Sequence, residues 1–208
     1  MIPPVPPGIR LLGITGAPGA GKSTFAASLG LPIVPMDGFH YADVELVRRG
    51  LRDRKGAPET FDAEGYAALL RRIRAGEPEV VAPMFERDLE QPLAGAIPVP
   101  AAGTVVTEGN YLLLDEPRWR AVRAELDAVW HLVVDERLRV ERLVARHVRF
   151  GKSPEAARAW VERVDGANAR LVEAARDRAD LVVDLTDWAP RPDVPAPAAP
   201  PGPGHAPG

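Results

Sequence analysis

The chain has 208 residues, a formal net charge of −3, 46% apolar and 26% charged residues, and no cysteine. That length suits one well-buried domain and is too short for two large ones. The slight acidity gives no general attraction to nucleic acid or anionic lipid, and the missing cysteine excludes disulfides, thiolate metal sites and cysteine nucleophiles.

Residues 1–8, MIPPVPPG, are expected to form a flexible N-terminus. They lack the basic-then-apolar order of a signal peptide, and no apolar run approaches the ~20 residues a membrane span needs. A cytoplasmic enzyme is the expectation. IRLLGIT (9–15) is a short apolar run before glycines and predicts a buried strand. KSTFAASL (22–29) predicts a helix with Gly30 as its stop, and PIVPM (32–36) a second strand. Residues 63–75 place Leu69, Leu70 and Ile73 on one helical face, with Asp62 as N-cap. TVVTEG (104–109) and AVWHLVVD (128–135) read as buried strands, with helical residues 117–126 between them. A helix over 137–149 follows. Ser153 caps the next one, Pro154 suits its first position, and ADLVVDL (179–185) closes the series. Strands alternating with helices predict an α/β fold, a parallel sheet with helices on both faces in a three-layer sandwich. The domain is expected to span 9–188, followed by a disordered Pro/Ala/Gly-rich tail at 189–208 that could act as a weak docking peptide.

Residues 16–23 (Gly16, Ala17, Pro18, Gly19, Ala20, Gly21, Lys22, Ser23) satisfy G-x-x-x-x-G-K-[ST], with Thr24 next. A strand precedes them and a helix follows, as the motif requires. Glycines let backbone N–H groups curl round phosphates, and the helix N-terminus adds partial positive charge. Lys22 is expected to reach the β- and γ-phosphates of a nucleotide such as ATP, and Ser23 to hold Mg²⁺. The motif is silent on whether the γ-phosphate goes to water or to an acceptor molecule.

PMDGFH (35–40) ends the second strand, and strand carboxyl ends face the ligand crevice in open α/β sheets. Asp37 there is a candidate proton acceptor for an attacking hydroxyl; it is equally a turn-forming Asp-Gly pair. KGAPETFD (55–62) and TEGNYLLL (107–114) follow, with the basic helix at 137–149 behind them. With DGFH, this ordered set resembles the phosphoribulokinase / uridine kinase / pantothenate kinase family of P-loop kinases. The likeness is greatest to the bacterial nucleoside/nucleotide or fructose-transport-system-type branch, and it covers residues 9–185. The resemblance implies that Asp37 is the catalytic base on the acceptor hydroxyl and that Lys55 approaches the acceptor and the transferring phosphate. It also implies that Glu108 organises Mg²⁺, which agrees with its strand-end, Walker-B-type position.

In 137–153, Arg139, Arg142, Arg146 and Arg149 share one side of a helical wheel and Val140, Leu143, Val144 and Val148 the other. A solvated basic face is one explanation. The other is a helix–turn–helix lid over about 139–160, with Arg142 and Arg146 reaching the phosphates, as the resemblance also implies; Lys152 is a weaker candidate. The stretch 82–92 falls where relatives place acceptor contacts. Phe85, Glu86, Arg87 and Asp88 are its candidates, each equally readable as an idle loop residue. His40, Tyr41 and Tyr111 are candidates to line the same pocket, and Asn168 to touch the nucleotide; packing and a surface amide are the alternatives.

These residues predict a Mg·ATP-dependent kinase acting on a hydroxyl of a sugar or nucleoside-like acceptor, with a pantothenate-like alcohol also fitting. No nucleic-acid or membrane partner is expected, and a homodimer stays open. The rival is a GTPase switch or assembly factor with water as acceptor. No N-K-x-D run is present, and DAEG (62–65) opens a predicted helix, which counts against it.

Overall fold

The computed structural model describes residues 2–190; the tail predicted from 189 lies, beyond Pro190, outside the described residues. Five strands form a parallel sheet: β1 (Leu11–Gly16), β2 (Ile33–Pro35), β5 (Val105–Glu108), β6 (Ala128–Val133) and β7 (Leu181–Asp184), in the order β2-β5-β1-β6-β7. Neighbouring side chains on a strand point to opposite faces, and here both faces are covered. Leu11, Val105 and Val129 enter one core, while Leu12, Val106 and Trp130 enter the other. That explains why these strands read as continuous apolar runs rather than alternating ones.

The first core is covered by α3 (Ala63–Arg74) and α4 (Pro117–Ala124), which bring Tyr66, Leu70, Ile73, Trp119 and Val122 onto the sheet. α3 starts where Asp62 accepts a hydrogen bond from the Gly65 N–H at 2.9 Å, so the DAEG stretch is a helix cap. The second core holds Phe25 of α1 (Lys22–Ser28), edge-on to Trp130 and Trp188. Where the sequence predicts a loose N-terminus, Ile2 and Val5 pack against this second core. The 14-residue helix α5 (Glu136–Arg149) and the shorter α6 (Pro154–Trp160) and α7 (Gly166–Ala174) lie between β6 and β7. A five-residue π-helical turn, Val161–Asp165, separates the last two. Ser153 caps α6 through the Ala156 N–H, with Pro154 in its first turn, as predicted. No helix among the described residues is long and apolar enough to cross a membrane.

Two elements have no counterpart in the sequence reading. One is α2 (Asp43–Arg49), closed by Gly50 in a left-handed conformation. The other is an antiparallel hairpin, β3 (Val80–Glu86) with β4 (Gln91–Val99), in place of the acceptor loop expected at 82–92. Phe85 and Glu86 therefore sit on a strand, and Arg87 and Asp88 in the turn that follows it. The irregular register between Ala82 and Met84, with Pro83 between them, hides the two-residue alternation by which a strand is recognised.

Candidate active site

Three strands of the sheet deliver the cleft at their carboxyl ends: β1 runs into the 16–22 loop, β2 into the short 3₁₀ turn Met36–Phe39 that carries Asp37, and β5 ends on Glu108. The resulting cleft, about 190 Å³, is lined by Lys22, Ser23, Asp37 and Glu108, which span 86 residues of sequence from the first to the last. Glycines permit this convergence. A Cβ on Gly38 would lie 2.4 Å from the Pro83 carbonyl oxygen, so the hairpin can press against the Asp37 turn only if that position has no side chain. A Cβ on Gly109 would lie 2.4 Å from the Met36 Cβ, which fixes β5 against the same turn.

The phosphate loop is shaped for oxyanions. Gly19 and Gly21 take left-handed φ values of 83° and 90°, and α1 opens without a side-chain cap. Lys22 Nζ donates to the Gly16 and Ala17 carbonyls at 2.9 and 3.1 Å. Burial lowers its pKa to about 8, against the opposing charges of Glu108 and Asp37. Ser23 Oγ donates to Glu108 Oε1 at 3.0 Å. Burial, followed by the nearby Asp37 charge, raises the Glu108 pKa, while Lys22 and Ser23 act the other way. The hydroxyl and the carboxylate are hard oxygen donors that suit Mg²⁺. No cluster of three or more His, Cys, Asp or Glu among the described residues could hold a metal by itself. Such a pair fits a cation that takes only one or two protein oxygens and completes its shell with phosphate oxygens and water.

The remaining predicted residues divide. His40 lines the cleft with its Nδ1 2.8 Å from the Asp37 carbonyl, and its ring packs on Phe61 and Phe85 with centroids 3.9 and 4.9 Å away. Burial holds it below the usual histidine pKa, hence neutral at pH 7. Phe85 supports that ring without itself lining the cleft. Arg87 lies on the cleft wall, its Nη2 3.6 Å from Asp37 Oδ2. Lys55 also reaches the wall, but its ammonium is tied to Asp43 Oδ1 at 2.7 Å and to the Glu90 carbonyl. Tyr111 does not line the pocket. Its ring is fully buried against Phe61 and Trp119, where it makes core, and its hydroxyl donates to the Gly56 carbonyl. Tyr41 lies outside the cleft lining too, under the Arg49 guanidinium at 4.1 Å. Glu86 is used by the turn itself, accepting from the Asp88 N–H.

On α5 the structure redistributes the arginines. Arg146 lines the cleft; Arg142 does not, although its Nη1 comes 3.8 Å from where a Cβ on Gly21 would sit. Arg139, expected on the exposed basic face, is 5% exposed. Its Nη1 donates to the Pro18 carbonyl at 3.0 Å and Glu136 grips its other nitrogens at 2.7 Å. A Cβ on Gly19 would meet Leu143 Cγ at 2.7 Å and the Arg139 carbonyl at 2.9 Å, so this half of α5 is docked onto the phosphate loop. The helical wheel separates Arg139 from Leu143 by only 40°, which is the signal that could have assigned it to the buried side. Asn168 is buried and lines the cleft, with Nδ2 3.5 Å from the Gly56 carbonyl. Trp160, Val164 and Asp165 join it there; Trp160 ends α6, the π-helical turn that follows presents Val164 and Asp165, and Asp165 also accepts from His147 at 2.8 Å.

No protein-family model matches the chain. Among curated proteins it is 33% identical over 181 residues to the uncharacterized protein YggC of Escherichia coli, covering 82% of this chain and 75% of that one. It is 33% identical over 192 residues to a "putative uridine kinase" of Schizosaccharomyces pombe, covering 83% and 82%. A pantothenate kinase of Limosilactobacillus reuteri matches at 34% over 142 residues, 60% of this chain and 44% of that protein. Among solved structures, a "putative fructose transport system kinase" from Silicibacter sp. TM1040 superposes with a TM-score of 0.76 at 44% identity, covering 88% of this chain and 93% of the other.

Proposed function

This chain belongs to the family of P-loop kinases that includes uridine kinase and pantothenate kinase, and we propose that it transfers the γ-phosphate of Mg·ATP to a hydroxyl of a small sugar- or nucleoside-like acceptor. The observation that carries this reading is the meeting of Lys22, Ser23, Glu108 and Asp37 in one cleft with Arg87 and Arg146 on its walls. A phosphoryl-transfer site needs little covalent chemistry from the protein, only position and charge.

The 16–23 loop receives the nucleotide phosphates, and Lys22 exchanges its two loop carbonyls for phosphate oxygens. Ser23, with Glu108 behind it, would hold Mg²⁺, whose chemistry here would be neutralisation of phosphate charge. Asp37 takes the proton of the acceptor hydroxyl as its oxygen bonds to the γ-phosphorus. The bond from that phosphorus to the bridging oxygen breaks, and ADP leaves. Arg146 meets the charge that spreads onto the transferring oxygens. Arg139 and Leu143 pin the start of α5 to Pro18 and Gly19, so closure of a lid falls to residues beyond Leu143.

The test is ADP release from Mg·ATP without acceptor and then with sugars, nucleosides and pantothenate. Release that rises sharply with one acceptor class is expected. Asp37→Asn should then cut turnover by about 10²–10⁴-fold, the usual worth of a general base, with ATP affinity nearly unchanged. Steady release that no acceptor alters would transfer the site to water as acceptor, and full turnover in Asp37→Asn would remove that residue as base.

A further inference from the structure

Beside the cleft lies a second, larger cavity of about 830 Å³, and the two share Lys55, Arg87, Arg146 and Trp160, so they form one continuous space. Six cations line the outer cavity: Arg52, Lys55, Arg87, Arg146, Lys152 and Arg163. Three acids, Asp43, Asp53 and Glu90, oppose them, which leaves the wall at +3 in a chain whose total is −3. The pairing is uneven. Asp43 takes both Lys55 at 2.7 Å and Arg52 at 3.3 Å. Arg146, Lys152 and Arg163 have no carboxylate within 4 Å among the described residues. Lys152 and Arg163 instead lie against the Trp160 ring, 4.6 and 5.8 Å from its centroid.

Arg52, Lys152 and Arg163 line only the outer cavity, apart from the nucleotide loop. Pro18, Gly19, Lys22 and Ser23 of the phosphate loop line the inner cleft, and no residue of that loop lines the outer cavity. Arg146 and Arg163 are exposed and Lys152 is half-buried, so water solvates the three cations while the cavity is empty; a neutral acceptor would displace that water and offer no opposite charge in return. Guanidinium and ammonium groups that converge without a protein partner suit an oxyanion.

We propose that the outer cavity is the acceptor subsite and that the acceptor carries its own oxyanion, a phosphate monoester or a carboxylate, beside the hydroxyl that reacts. The hydroxyl lies at Asp37 and the oxyanion at Lys152 and Arg163, with Arg146 between that oxyanion and the transferring phosphoryl group. This rests on the kinase reading above and narrows its acceptor.

The experiment compares matched acceptors in the Mg·ATP assay: neutral sugars and nucleosides against their phosphate esters and against hydroxy acids of similar size. The expected result is at least a tenfold higher kcat/KM for one anionic arm, which also tells phosphate from carboxylate. Lys152→Gln with Arg163→Gln should raise KM for that acceptor tenfold or more, and Lys152→Arg with Arg163→Lys should restore most of it. Neutral acceptors used as well as their anionic partners would overturn the subsite and leave the kinase reading standing. If no acceptor raises ADP release, the kinase reading fails for this panel. The subsite is then decided by titrating the same compounds into the Mg·ADP complex, following Tm. Stabilisation by an anionic arm that is lost in the double Gln variant supports it, and stabilisation by none overturns it.

Discussion

Arg139→Gln separates two accounts of the basic side of α5. If the four arginines formed a solvated face, each replacement would stay within about 0.5 kcal/mol, as for most exposed positions. The structure demands more of Arg139. Its ion pair with Glu136 contributes little, because the Glu136 side chain is 72% exposed and screened by water. The bond from Nη1 to the Pro18 carbonyl is buried. Losing a charged donor there leaves that oxygen without its partner, at a cost of about 1.5–3 kcal/mol. For a domain of this size each kcal/mol moves Tm by roughly 2–4 °C, so a fall of about 3–12 °C is expected. Arg149→Gln, at an exposed position on the same helix, should shift Tm by less than about 2 °C on the same scale. Because Pro18 belongs to the phosphate loop, Arg139→Gln should also weaken Mg·ATP binding, by roughly 3- to 13-fold if half of that energy holds the loop in place. Calorimetric melting and nucleotide titration read both effects. If Arg139→Gln melted within 1 °C of the wild type and bound ATP as tightly, the docking of α5 on the loop would contribute nothing.

Lys22 gives a pH dependence. Its folded pKa is lowered from 10.5 to about 8, chiefly by burial, so the free enzyme loses this charge as pH rises through about 8. Since phosphate binding uses the charged form, kcat/KM for ATP should fall above that pH, approaching tenfold per unit; a flat profile to pH 9.5 would contradict it. The linkage runs the other way for folding. Between pH 8 and 10.5 the unfolded chain holds the proton that the folded chain has released, so this group's destabilising share shrinks across that window. Gly38→Ala would drive a Cβ to 2.4 Å from the Pro83 carbonyl oxygen. Overpacking of this kind costs about 1–3 kcal/mol, and the hairpin bearing Arg87 must move from Asp37. A lower Tm together with a reduced kcat is expected, and an unchanged kcat would show that the hairpin's position is immaterial to turnover.

What the sequence determined alone is what chemistry fixes locally. The phosphate loop needs glycines and a lysine at set spacing, strands buried on both faces need apolar runs, and helix starts need caps such as Asp62 and Ser153. Each can be recognised within a few residues, and so could the acids at the ends of β2 and β5, because the carboxyl edge of a parallel sheet is where a ligand crevice opens. Tertiary structure decided what depends on distant partners. Tyr111 became core because Phe61 and Trp119 enclose it. Arg139 left the solvated face because Gly19 admits α5 against the loop. The 82–92 stretch became a hairpin by pairing with β4. The +3 wall is likewise invisible along the chain, since its cations come from residues 52 to 163 and are diluted by acids that the fold turns elsewhere. Local propensity acts through neighbours in sequence, whereas burial and charge act through neighbours in space, and only folding makes those known.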